Sequence, residues 1–141
     1  MIPVDQSRLH DPERGVAGNC MQAAFATLLD LSIDDVPDFT AGELPDTGPR
    51  LKAYWQRVDD FLAARGLYRI GLPEQGLPGL HLAAGLSSRG VMHVVVRNGW
   101  QTVHDPHPSR ADLASVDRLW VLVPINPARV RPPEPEPIVT T

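Results

Sequence analysis

The sequence predicts an α+β domain in which N-terminal helices pack on one face of a C-terminal antiparallel β-sheet. Three observations carry this expectation. Apolar residues recur at helical spacing up to Gly66, the period becomes strand-like after it, and the later runs are joined by connections too short for the crossovers that parallel strands need.

In "GVAGNCMQAAFATLLDL", residues 15–31, a Gly18-Asn19 turn leads into a run of helix formers. Asn19 is the expected N-cap, and Ala24, Phe25, Leu28 and Leu29 form one apolar face of a helix starting at Cys20. In "LSIDDVPDF" Ser32 and Asp35 are spaced as a capping pair for a single short turn, which Pro37 stops. "TAGELPDTGP" is turn chemistry. Pro49 suits a first helical position, and "PRLKAYWQRVDDFLAARG" sets Leu51, Trp55, Val58 and Leu62 on one face before Gly66 ends the helix. Beyond it "LYRIGL", "LHLAAGL", "VMHVVVR", "WQTVHD" and "RLWVLVPI" are the strand candidates, separated by Gly, Pro, Ser and Asn-Gly signals. Tyr54, Trp55 and Trp120 fall at core spacing, while Trp100 stands near a hairpin turn.

The chain of 141 residues accommodates one domain, expected over residues 1–126, and 43% hydrophobic with 21% charged residues suffices for a core without a metal or disulfide staple. Residues 127–141, "PARVRPPEPEPIVTT" without its donors at proline, are expected to form an extended tail, either a partner-docking segment or a plain disordered terminus. A single cysteine forms no internal disulfide and fits a reducing cytoplasm. "MIPVDQSRLHDPERG" lacks the pattern of a signal peptide, and no run approaches the roughly 20 apolar residues that span a bilayer. A cytoplasmic protein without a membrane partner is expected. The formal charge of −4, with arginines dispersed, argues against a phosphate-tracking surface and against nucleic acid as a partner.

The placement of the one thiol is the chemical signal. A helix start directs unpaired N–H groups and the positive dipole end at the sulfur of Cys20, which stabilises a thiolate. Taken alone, a lone cysteine is more often a small buried hydrophobe. A base and its orienter come from "VMHVVVRNGWQTVHDPHP", residues 91–108, two strand-like runs joined by Asn98-Gly99. A two-residue loop sets His93 opposite His104. A three-residue loop with Gly99 left-handed sets Arg97 opposite Gln101 and His93 opposite Asp105, and is preferred because Met92, Val94, Val96 and Trp100 then share an apolar face. The other face, bearing His93, Arg97, Gln101 and Asp105, is expected to meet the helix start. Asp105 would fix the imidazole tautomer and leave the second ring nitrogen to take the thiol proton.

His93, His104, Asp105 and His107 also raise a zinc site, against which stands the opposite facing of adjacent strand residues. His107 between two prolines is expected at a rim, and His81 and His10 have no evident partner. The acidic loop "DDVPDFTAGELPD" either flanks a cleft and favours basic side chains or is simply solvated.

Three segments together resemble the papain-like cysteine peptidase superfamily, most closely its small peptidase C39-like branch: "GNCMQAAFATLL", "MHVVVRNG" and "VHDP". The resemblance spans roughly residues 3 to 124. It implies Cys20 as nucleophile, His93 as general base, Asp105 as its orienting residue, no cofactor and no metal, and a peptide or protein substrate. It also implies an upstream glutamine donating to the oxyanion. Gln6 in "PVDQS" is the candidate, although "SRLHDPERGVAG" lengthens the interval to Cys20 beyond the usual one; Asn19 and Gln22 are the fallbacks. Met21 stands where that branch often has Gly or Cys. The implied function is hydrolysis of a peptide or isopeptide bond through an acyl-enzyme. A non-catalytic binding module on the same fold and a thiol acyltransferase are the alternatives.

Overall fold

A computed structural model describes residues 1–126. The tail expected over 127–141 lies outside the described residues. Among the described residues two α-helices, α1 (Cys20–Leu28) and α2 (Gly48–Ala64), pack on a five-stranded sheet of β1 (Leu67–Leu72), β2 (Leu77–Leu86), β3 (Met92–Gly99), β4 (Gln101–His104) and β5 (Arg118–Pro124). All pairings are antiparallel, in the order β1-β5-β2-β3-β4. The helices-then-sheet expectation and every strand candidate hold. Among the described residues no helix is long and apolar enough to cross a membrane.

Local chemistry explains the element ends. Thr47 caps α2 by accepting from the Arg50 N–H (3.2 Å). Gly66, at φ 73°, takes the left-handed position past the helix and donates to the Ala63 carbonyl. The short turn Ile33–Asp35 forms as expected, with the Ser32 hydroxyl bonded to the Asp35 carboxylate (2.9 Å) rather than to backbone. Val58 and Leu62 of α2 are buried, whereas Leu51, expected on the same face, is exposed, as are all the residues 48–51 of the first turn.

The core between helices and sheet joins Ala24 and Phe25 of α1, Val58 and Leu62 of α2, Leu82 of β2 and Val94 and Val96 of β3. Edge-to-face contacts of Phe25 with Phe39 and Phe61 (5.7 and 6.2 Å) fix α1 against α2. On the opposite sheet face Ala83, Val95 and Leu119 are covered by Leu113 and Val116 from the segment joining β4 to β5.

That segment lies directly on Gly85. Ala114 N donates to the Leu86 carbonyl (2.7 Å) and Asp117 N to that of Ala84 (2.9 Å), and a Cβ at Gly85 would fall on the Ser115 carbonyl oxygen. Backbone meets backbone there, so no rotamer change relieves the clash. Gly85→Ala is expected to cost about 3 kcal/mol or more. A urea midpoint equal to wild type would show that the segment is not held on β2.

The β3–β4 hairpin corrects the expected register. Asn98 pairs with Gln101 and Arg97 with Thr102, and a shift then sets Val96 opposite His104. Gly99 is left-handed as expected (φ 66°), but it opens a turn one residue later in the chain, with Trp100 at its exposed tip. The face assignment changes too. The body of α1 packs on Val94 and Val96, not on the face shared by His93 and Arg97. Met92, on the parity of Val94, is exposed because it lies at the strand end.

Candidate active site

Cys20 is the first residue of α1 and is half-buried. Its predecessor does not cap the helix with its side chain as expected. The Asn19 carboxamide accepts from Arg8 N–H (2.9 Å) and donates to Ser7 Oγ (2.8 Å) and Gln22 Oε1 (3.1 Å), so that it ties the N-terminal segment to the helix start. The Asn19 N–H returns a bond to the Arg8 carbonyl (3.2 Å). These paired bonds close the Ser7–Gly18 loop at its base, and the long interval between Gln6 and Cys20 is absorbed as an excursion.

Burial pushes the Cys20 thiol up. The backbone N–H groups of Val94, Met21 and Cys20 itself pull the other way, and the Asp105 carboxylate adds to the rise. Burial thus opposes the thiolate that a helix start alone favours. The Val94 N–H belongs to the peptide linking it to His93, so the sulfur lies against the backbone of the imidazole-bearing residue.

His93 is buried, with Nε2 at 2.6 Å from Asp105 Oδ1. A carboxylate only accepts, so Nε2 donates and the neutral ring keeps Nδ1 as its basic atom. Asp105 lies past the end of β4 and reaches His93 off the ladder, which is why the expected partnership exists in a different register. Its carboxylate also accepts from the N–H groups of His107 and Asp112 (2.9 Å each). Burial pushes this carboxyl up, but the hydrogen bonds from His93, His107 and Asp112 outweigh it and hold it below its ordinary value.

Gln6 is brought beside this pair. Val4 bonds Thr27 of α1 through its N–H and His104 of β4 through its carbonyl (2.9 and 2.8 Å), and Gln6 N donates to the Pro106 carbonyl (3.0 Å). One Gln6 Nε2 hydrogen goes to the Arg8 carbonyl (2.9 Å), which leaves the second. The fallbacks have no such reserve: Asn19 Nδ2 is spent on Ser7 and Gln22, and Gln22 Nε2 on the Ile33 and Val36 carbonyls.

Cys20, His93 and Gln6 line one cavity of ≈ 760 Å³, whose wall also includes Tyr54, Trp55 and Trp120. These aromatics were expected only in the core, and periodicity gives no sign of their second surface. Trp55 and Trp120 pack at 5.2 Å, with the Arg69 guanidinium over both rings. His107 also lines the cavity, its ring edge-to-face with His93 at 6.2 Å; the rim position expected for it fits. His10 accepts from the Gly18 N–H (3.3 Å) at the same cavity, and buried His81 bonds the Gly79 carbonyl (2.9 Å) on β2.

The acidic loop does not furnish the cavity with carboxylates. Asp38 is engaged by Arg8 (2.8 Å) and Thr40, and Asp46 by Arg50 (3.1 Å). Nor does the histidine cluster gather on an ion: His104 is directed to the Val4 carbonyl, and among the described residues no group of three or more His, Cys, Asp or Glu side chains is placed to hold a metal. No family model, curated protein or solved structure matches the chain.

Proposed function

We propose that this chain is a small papain-like thiol hydrolase of the peptidase C39-like type, cleaving a peptide or isopeptide bond through an acyl-enzyme on Cys20. The observation that carries the proposal is the buried 2.6 Å bond from His93 Nε2 to Asp105 in the wall of the cavity that Cys20 also lines. It leaves Nδ1 as the one basic ring atom for the thiol proton.

In the proposed reaction His93 Nδ1 takes the Cys20 proton as the sulfur bonds to the substrate carbonyl carbon, so the thiolate forms on attack rather than at rest. The displaced electron pair settles on the carbonyl oxygen, facing the Cys20 N–H and the second Gln6 amide hydrogen. Collapse breaks the C–N bond, and the imidazolium gives its proton to the leaving amine. Water, deprotonated by His93, then attacks the thioester and frees the acid and the thiol. An amine in place of water would make the same site a transferase.

The raised thiol favours one rival reading, a binding module that keeps the shape and uses Cys20 as packing. A peptidyl vinyl sulfone separates the two. The hydrolase reading expects covalent labelling of Cys20 that slows about 100-fold or more in His93→Ala. Labelling at one slow rate in both proteins would sink the catalytic reading.

A further inference from the structure

We infer that the substrate's leaving group carries a carboxylate, and that Arg89 receives it. This deepens the hydrolase reading and rests on it. His93 must protonate the departing amine, so the part of the substrate beyond the scissile bond lies over His93. The neighbours of His93 in the cavity wall therefore choose that part.

His107, edge-to-face with His93, and Arg89 both line that cavity. Arg89 Nη1 donates to Ser109 Oγ (3.2 Å), which contacts His107 Nδ1 (2.8 Å), and the His107 N–H donates to the same Asp105 oxygen that holds His93. Arg89 is thus placed by a continuous hydrogen-bonded chain from the catalytic pair. Five other arginines, Arg8, Arg14, Arg50, Arg69 and Arg110, are matched with carboxylates. Among the described residues Arg89 has the Ser109 hydroxyl as its one hydrogen-bond partner, and its exposed guanidinium there keeps four N–H donors for a planar anion. Among the described residues Asp117 is the one carboxylate in the cavity wall, and Arg118, its neighbour in the chain, lines the wall too. On a chain of net charge −4 this is a local cationic site in an acidic protein.

The shared chemistry is a carboxylate, supplied either by the α-carboxylate of a terminal residue or by an acidic side chain. A panel of benzoyl dipeptides, followed by mass spectrometry, distinguishes them: each acyl residue is joined to glycine free acid, to glycine amide and to glutamate amide. One of the two anionic forms is expected to exceed glycine amide in kcat/KM by about tenfold or more. That ratio should fall towards one in Arg89→Ala and persist in Arg65→Ala, a charge loss outside the cavity. Equal turnover of all three forms by wild type overturns the assignment of Arg89 and leaves the hydrolase reading standing. No turnover of any member, together with failure of the vinyl sulfone to label, overturns both.

Discussion

On the proposed hydrolase reading, Cys20→Ala is expected to reduce amide hydrolysis to background, a fall on the order of 10⁵-fold or more in kcat, because the Cys20 sulfur is the atom that carries the acyl group. The fold should survive. Cys20 packs at the margin of the core, not within it, and the helix start is held by Asn19 rather than by the sulfur. Loss of one sulfur there should cost about 1 kcal/mol. Kinetics by mass spectrometry paired with a thermal melt checks both halves: turnover surviving in Cys20→Ala would remove the sulfur from the chemistry, and a collapsed melt would reveal a structural thiol.

Asp105→Asn has the second large effect, and it acts through His93. The carboxylate accepts from His93 Nε2–H and from two backbone N–H groups. An Asn retains one acceptor oxygen and turns an amide donor towards groups that also donate, so either the imidazole changes tautomer or a buried donor is left unpaired. In the first case Nδ1 carries the proton and cannot take one from the thiol. A rate loss on the order of 10³-fold or more is expected.

The same substitution changes stability with pH. The folded Asp105 carboxyl lies below its ordinary value of 3.8, so its ionised form contributes stability that is fully present above that value and is lost as pH falls through the lowered folded one. Wild type should therefore lose melting temperature on acidification below about pH 4 more steeply than Asp105→Asn. Parallel melting curves from pH 6 to pH 2 would remove this carboxylate from the acid response.

Much of this architecture was legible in the order of residues. The change of period at Gly66 separates helices from strands because side chains alternate every two residues on a sheet and every 3.6 on a helix. Val58 and Leu62 were recoverable as core for the same reason. His93 and Asp105 were recoverable as partners, although through a register that the chain does not adopt. The hairpin turn slips by one residue because Gly99 accepts a left-handed conformation at more than one turn position, and local sequence does not choose between them.

Composition, period and punctuation already specify an α+β chain, a lone thiol opening a helix, and a histidine and an aspartate at the ends of neighbouring strands. The environment of each group comes from folding. Folding half-buried Cys20 and raised its thiol, exhausted Asn19 and Gln22 while sparing Gln6, and stood the aromatics and Arg89 around one cavity. The physical reason is that desolvation and hydrogen-bond saturation depend on neighbours far away in the chain. Asp105 and Asp112, His104 and Val4, and Gly85 and Ser115 meet only when the chain has folded.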